Sequence, residues 1–202
     1  MKAQFSLIFF LVVAGFSLQV FNADVLIRMS PNRIGAAEHI HFKENCTSLE
    51  RDRKNRHASK PLVPRAVISD LVKWIGDHTD YNISKTLMEP PSVRFCDQDT
   101  QIYYEGEMVI VDPMLRAAYD MRDRHIYLVR PWKVSSAKDL STLLHELIHD
   151  VQYLNRNWPC KEKPEWEAYK LQEAWLSEQG VESEFNWLKI FMLSRCPRDI
   201  HP

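Results

Sequence analysis

Two histidines four positions apart, with a glutamate between them, are the residues of this chain whose types and spacing best fit a defined chemistry. They stand in the hexapeptide HELIHD, residues 145–150. On a helix, side chains four residues apart lie one turn above each other, so His145 and His149 can hold one ion while Glu146 projects beside them. Imidazole nitrogens are zinc ligands, and a carboxylate beside a metal can act as a base. The hexapeptide therefore predicts a metal site with an adjacent base.

The segment that must position these residues, 136–155, has the periodicity of an amphipathic helix. Ser136 and Asp139 supply capping oxygens at its start. The apolar face should pack into the core, so the histidines should lie opposite the core. The apolar face comprises Leu140, Leu143, Leu144, Leu147, Ile148 and Val151, and the other face comprises Thr142, His145, Glu146, His149, Gln152 and Tyr153.

A third ligand has to come from another element, because a catalytic zinc takes three protein ligands and keeps one position for water. A helix is predicted at residues 165–179, with a proline before it and a glycine after it. Its apolar residues place Glu167 at the edge of the inward sector and leave Glu165 and Glu173 on the solvated surface. An inward carboxylate is costly unless it is paired or bound to a metal. Glu167 is therefore the predicted third ligand, and Glu178 is the alternative.

Two strands joined by a polar turn are predicted directly before the HELIHD helix. Runs at 116–119 and 125–129 flank the turn at 120–124. If the second strand lies at the edge of a sheet, its unpaired backbone groups can bind an extended peptide as a further strand. We therefore predict a substrate-binding edge at residues 125–129.

The other predicted elements complete an α+β fold with a small antiparallel or mixed sheet packed on helices. A helix begins after Pro64, a strand covers residues 92–96, a helical or irregular piece covers 98–106, and a last helix covers 182–194. The last helix should bury its apolar residues: Phe185, Leu188, Ile190, Phe191 and Leu193.

Composition limits the function classes that need consideration. The chain has 202 residues, 45% of them hydrophobic, which is enough for one sizeable core. A formal net charge of −1 gives no electrostatic reason to expect nucleic acid or an acidic membrane surface as partner. Function should therefore depend on a local site.

The start of the chain has the pattern of an export signal. A lysine at position 2 precedes an apolar run at residues 5–21. We predict a signal peptide at 1–23, an N-terminal extension and charged loop at 24–63, and one domain at 64–202. A retained membrane anchor is the alternative, since the run approaches the length of a short span. A secreted or periplasmic protein without a membrane span after cleavage is the expectation.

The cysteines also indicate an exported protein in an oxidising compartment. Cys46, Cys96, Cys160 and Cys196 include no Cys-x-x-Cys pair, so they match neither a zinc ribbon nor a redox motif. An even number behind an export signal indicates two disulfides, for which three pairings exist. We expect Cys160 with Cys196, which would bracket two consecutive helices, and Cys46 with Cys96.

HELIHD, followed after a loop by a helix bearing Glu167-Ala168-Tyr169, resembles the gluzincin branch of zincin metallopeptidases. The stretch from Val67 through the hairpin, the HELIHD helix, EAYKLQEAWL and a closing cysteine also resembles a family of small exported bacterial proteins of unknown function with a zincin-like core. The chain lacks the Asn-Glu-x-x-x-Asp motif of thermolysin-like enzymes around the third ligand. Substrate preference therefore cannot be carried over.

The resemblance implies a zincin-like fold and hydrolysis of peptide bonds in a peptide or protein substrate. Zn²⁺ on the two histidines and Glu167 would activate a water, and Glu146 would take its proton and pass it to the leaving amine. Asp150 is a candidate to orient a ligand imidazole, or else an exposed helix residue. Further candidates are expected to stabilise the oxyanion. They are Tyr153, Tyr169, His125 and Arg195.

Two other classes of function remain open at this point. One is a secreted or envelope-associated binding protein on the same scaffold, with structural zinc or none. The other is a zinc hydrolase that acts on something other than peptide. A structural zinc site is closed by a fourth protein ligand, whereas a catalytic site stays open to water. The surroundings of the two histidines therefore discriminate between the first of these alternatives and an enzyme.

Overall fold

The structure is a computed structural model of the chain and describes residues 27–28, 46–47, 49–51 and 59–197. The expected signal peptide at 1–23 lies outside these residues, as does most of the expected extension at 24–63. The described helices are α1 (Arg65–His78), α2 (Ser84–Met88), α3 (Ala137–Asn155), α4 (Glu165–Glu178) and α5 (Trp187–Leu193). The described strands are β1 (Ile27–Arg28), β2 (Leu49–Arg51), β3 (Ser59–Pro61), β4 (Ser92–Cys96), β5 (Gln101–Tyr104), β6 (Glu107–Ile110), β7 (Ala117–Asp120) and β8 (His125–Val129). This mixture confirms the α+β class.

The strand directly before α3 lies in the middle of its sheet and not at the edge. β8 pairs in parallel with β4 and antiparallel with β7. The prediction that residues 125–129 form an open edge is therefore wrong. The parallel partner comes from earlier in the chain, and a pattern read around the hairpin turn cannot reveal it. Among the described strands, β4 and β7 are the two edge strands of this sheet, and Thr47 forms an isolated bridge with Phe95 on the outer side of β4.

A second hairpin occupies the region predicted to be helical or irregular at residues 98–106. β5 and β6 pair antiparallel, and β1 pairs with the other side of β6. In β5, the side chain of Ile102 is fully buried, whereas Tyr103 is 49% exposed. This alternation is typical of a strand with one face on the core. At the turn, Gly106 has a φ of +92°, a conformation that glycine adopts without strain.

α3 is the central helix of the molecule, and it packs against β7, β8, α1 and α4. Five of its large apolar side chains are fully buried: Leu143, Leu144, Leu147, Ile148 and Val151. Burying such a side chain stabilises the fold by about 1.5–3 kcal/mol each. Ser136 caps the helix, as predicted, by accepting a hydrogen bond from the Asp139 amide. The polar face is also covered, since His145 is 7% and His149 is 6% exposed.

The last helix differs from its prediction in length and in burial. It begins at Trp187 and not at residue 182. Ile190 is buried, but Leu188 is 75% exposed and Phe191 is 43% exposed. A short helix on the surface of α4 has room to bury only one narrow stripe, so most of the predicted apolar face is exposed.

Both expected disulfides are present. Cys46 is bonded to Cys96 at the end of β4, and Cys160 is bonded to Cys196. The second disulfide ties the loop between α3 and α4 to the segment after α5, so it encloses two consecutive helices, α4 and α5, as expected. Within the described part of the chain, no helix combines the length and the apolar character that a membrane span requires.

Candidate metal centre

The side chains of His145, His149 and Glu165 converge at one point between α3 and α4. One ligand atom from each lies within 4.8 Å of the others. The two Nε2 atoms are 3.0 Å apart, and each lies 3.2 Å from an oxygen of the Glu165 carboxylate. This group could hold a metal ion.

Glu165 occupies the position for which the sequence predicted Glu167. The Glu167 carboxylate instead accepts hydrogen bonds from the Tyr81 hydroxyl, at 2.6 Å, and from the Gln152 amide, at 2.8 Å. The alternative, Glu178, lies at the other end of α4, where it accepts from the Trp74 indole at 2.7 Å. The interpretation of Glu165 as a solvated residue was wrong, because its side chain is only 23% exposed.

The error arose from the choice of the inward face of α4. The apolar pattern suggested a face through Leu171 and Ala174, but Ala174 is exposed. The face that is buried runs through Ala168, Gln172 and Trp175. Glu165 precedes Ala168 by three positions and Gln172 by seven, so it lies on this face. The burial of Gln172, which identifies this face, is seen only in the structure.

A buried glutamine, Gln152, fixes the tautomer of His149. Its Nε2 donates to the Pro164 carbonyl and to the Glu167 carboxylate, and both of these groups can only accept. Its Oε1 therefore faces His149 Nδ1, 3.0 Å away. Since that oxygen only accepts, Nδ1 carries a proton, and His149 presents Nε2 to the centre.

A second glutamine, Gln172, does the same for His145. The Ser141 hydroxyl donates to the Lys138 carbonyl at 2.7 Å, so its oxygen accepts from Gln172 Nε2 at 3.1 Å. Gln172 Oε1 then accepts from His145 Nδ1 at 3.0 Å. Both glutamines were missed as site residues in the sequence. A polar residue three positions after the second histidine, on the same helix, was the available indication for Gln152.

The resulting centre requires a positive charge. Two Nε2 atoms and a carboxylate at 3.0–3.2 Å repel one another unless a cation, either a proton or a metal, lies between them. Burial alone lowers the pKa of His149, but the charge and hydrogen bond of Glu165 outweigh it and raise the pKa to about 9. Burial opposes ionisation of Glu165, yet the charge of His149 and hydrogen bonds from both rings hold its pKa well below the usual range.

Glu146 lies beside the centre and is 7% exposed. Its carboxylate accepts the backbone N–H of Tyr119 on β7. Burial raises the pKa of Glu146 above its ordinary value, although the charges of His145 and His149 act in the opposite direction. The group is therefore held next to the imidazoles in surroundings that favour its accepting a proton.

The centre opens into a cavity of about 200 Å³. His145, Glu146, His149 and Glu165 form one side of it. The other sides come from the β5–β6 hairpin, β7 and the loop between α3 and α4. The lining residues from these elements are Tyr104, Glu105, Glu107, Val109, Ala117, Ala118, Tyr119, Lys161 and Glu162, and they are joined by Met121 from the turn after β7 and Tyr153 from α3. The space in front of the imidazoles is thus accessible to a small molecule.

The other residues singled out in the sequence have different surroundings. Of the four expected to stabilise an oxyanion, Tyr153 lines the cavity. The Tyr169 ring packs against His145 with 4.5 Å between ring centroids, His125 contacts Arg94, and Arg195 covers a phenylalanine ring. Cavity contact therefore favours Tyr153 alone.

Asp150 is neither exposed nor in hydrogen-bond contact with an imidazole. Its carboxylate accepts hydrogen bonds from the hydroxyls of Thr86 and Tyr119, at 2.7 and 2.8 Å. It also accepts two from the Arg124 guanidinium, at 2.8 and 2.9 Å. The side chains that contact the imidazole Nδ1 atoms are the two glutamines, Gln172 and Gln152, and not Asp150.

Comparison with known families places the chain in one of them. Residues 60–202 match the family described as a domain of unknown function, DUF6647. The match covers well over half of the chain, which therefore belongs to this family. Comparison with curated proteins and with solved structures gave no match.

Proposed function

We propose that the protein is a zinc-dependent peptidase. The observation that carries this proposal is the convergence of two tautomer-fixed imidazoles and one carboxylate at the wall of an open cavity, with a buried glutamate beside them. The proposal includes the zincin-like architecture, with His145, His149 and Glu165 as ligands.

The donor set fits zinc. Two nitrogens and one carboxylate oxygen are ligands that zinc takes in catalytic sites. Ligands bonded at ~2.0–2.1 Å around a tetrahedral ion lie about 3.3 Å apart, close to the observed 3.0–3.2 Å. The cavity supports a site that is open to water, which favours catalytic over structural zinc.

The chain's own groups supply the remaining steps of an amide hydrolysis. When bound, zinc would acidify a water molecule and polarise the substrate carbonyl. Glu146 takes the proton of that water and passes it to the leaving amine as the C–N bond breaks. The hydroxyl of Tyr153 donates to the Lys161 carbonyl at a long 3.4 Å, and by turning from that carbonyl it becomes the candidate donor to the developing oxyanion. Gln152 and Gln172 hold both imidazoles in the ligand tautomer.

Export is part of the proposal. Two disulfides form and persist in oxidising compartments, and the apolar start of the chain has the composition of a signal peptide. A secreted or periplasmic peptidase is consistent with both features.

The test compares wild type, Glu146→Gln and an exposed control, Glu182→Gln. Bound zinc is measured by mass spectrometry, and cleavage is measured on a library of unmodified peptides. We expect one zinc per chain in all three proteins and cleavage by wild type and the control. Glu146→Gln should lower kcat by about 10²–10⁴-fold, as loss of a general base does.

Zinc in all three proteins with no cleavage by any would reject the peptidase and support a binding protein on this scaffold. Absence of zinc from wild type after incubation with the metal would reject the metal centre itself.

A further inference from the structure

β7 is the strand along which a peptide can pair beside the candidate centre. The Val129 amide donates to the Arg116 carbonyl, so alternate residues of β7 direct their backbone groups toward β8. The backbone groups of Ala117 and Tyr119 consequently point to the outer side. Both residues line the cavity.

The outer side of β7 is blocked at one end. The Tyr119 N–H is used by Glu146, and its carbonyl accepts from the Tyr104 hydroxyl at 3.2 Å. Immediately beyond, the Glu105 amide donates to the Asp120 carboxylate at 2.7 Å. The tip of the β5–β6 hairpin therefore covers the edge from Tyr119 onward. A peptide can pair at Ala117 but cannot continue past Tyr119.

A salt bridge closes the same end from the other side of the cavity. Lys161, in the loop after α3, lies 2.7 Å from the Glu105 carboxylate. The hairpin tip is also held by Arg122, which donates to the Glu105 carbonyl at 3.1 Å. The cavity of about 200 Å³ is small beside typical ligand sites of roughly 300–1,000 Å³. It suits a chain end better than a continuous segment.

The direction of β7 and the charge around the cavity both indicate which end of a peptide occupies the blocked side. Antiparallel pairing is the more stable arrangement, and a peptide antiparallel to β7 has its amino end at the blocked side. That side carries Glu105, Glu107 and Glu162. The cations there are Lys161, which pairs with Glu105, and Arg122 at the hairpin tip, so acidic groups outnumber basic groups by three to two. A cationic ammonium group is favoured there, and a carboxylate is disfavoured.

We propose, building on the proposed function, that the site is an aminopeptidase site, which admits the free amino end of a peptide and removes a short amino-terminal piece. One water is consumed: its hydroxyl joins the carbonyl carbon, the C–N bond breaks, and Glu146 delivers the proton to the departing amine nitrogen. The hairpin tip prevents a longer chain from extending upstream of the cleaved bond.

The test uses the full zinc-loaded chain and three versions of each peptide: unmodified, N-acetylated, and C-amidated with a free amino end. Mass spectrometry gives the products and their rates. The unmodified and C-amidated peptides should be cleaved near the amino end with similar kcat/KM. Acetylation should lower kcat/KM at least tenfold.

Cleavage of the acetylated peptides at internal bonds, at rates equal to the unmodified ones, overturns this inference and leaves the peptidase intact. Dependence on a free carboxyl end overturns it as well. No cleavage of any peptide by zinc-loaded protein overturns the peptidase and this inference together.

Binding to the non-cleaving Glu146→Gln variant provides a second readout by calorimetry. The unmodified peptide should bind at least several-fold more tightly than its acetylated twin. Glu162→Gln in the same background should reduce this difference, whereas Glu182→Gln should not change it. Equal affinities for both peptides would overturn the assignment of the blocked end to an ammonium group.

Discussion

His149 and Asp150 are neighbours on α3, yet they stand in buried polar clusters of opposite character. The Asp150 carboxylate is fully buried, and the Arg124 guanidinium and two hydroxyls satisfy its oxygens. The cluster around His149 directs two imidazole nitrogens and a carboxylate at one point and requires a cation there. A complete cluster fixes α3 against α2 and β7. The incomplete cluster is open to a cavity, and it is the site of the proposed chemistry.

The largest expected effect is the loss of metal from the incomplete cluster. Glu165→Gln removes the anionic ligand, so we expect stoichiometric zinc binding to disappear, while the fold is retained by circular dichroism. Glu167→Gln is the matched control and should retain zinc with weaker affinity. If Glu165→Gln keeps full zinc occupancy while Glu167→Gln loses zinc, then Glu167 is the third ligand, as the sequence predicted, and Glu165 is not.

The next effect is on the complete cluster. Asp150→Ala leaves the Arg124 charge without its partner, so we expect the free energy of unfolding to fall by about 3–5 kcal/mol. Urea denaturation measures it. The control is Asp70→Ala, whose exposed carboxylate lies 3.7 Å from Lys73 and should contribute only about 0.2–1 kcal/mol. Equal losses in the two variants would contradict the structural role of Asp150.

A smaller effect is expected from the glutamines. Gln152→Leu removes the acceptor that fixes the His149 tautomer, and partners of metal-bound histidines typically contribute about 10–100-fold to metal affinity. Competition with a zinc chelator measures the change. The control Glu182→Gln should bind zinc with wild-type affinity. An unchanged zinc affinity in Gln152→Leu would show that the His149 tautomer does not depend on the Gln152 amide.

The smallest expected effect is the release of a proton when zinc binds. In the metal-free protein the pKa of His149 is raised to about 9, above the ~6.5 of an unfolded chain. Protonated His149 therefore contributes to stability below pH ~6.5, and this contribution is lost as the pH rises through 9. Zinc needs the neutral ring, so its binding at pH 7 should release about one proton. Calorimetry in buffers of different ionisation enthalpy detects the released proton. The release should vanish well above pH 9, where His149 is already neutral. No release at pH 7 would contradict the raised pKa of His149.

The local patterns of the chain were sufficient for several features. Helical periodicity gave α3 and α4 nearly to the residue, and the capping serine was correct. The β-hairpin at residues 101–110 was missed, because alternation over four residues per strand is a weak signal beside turn-forming neighbours. The exposure of apolar residues in α5 was missed because an apolar pattern in a short helix does not indicate how much of its surface a neighbouring helix covers.

The sequence by itself determined that two histidines and the glutamate between them lie on one helix, because spacing along a helix fixes which side chains share a face. Only the tertiary structure decided that Glu165 completes the group, that two glutamines orient the imidazoles, and that β7 lies at the edge. These choices depend on how α4 is rotated against α3 and on which strand pairs with β8. Packing between distant segments sets both, and no local pattern encodes either.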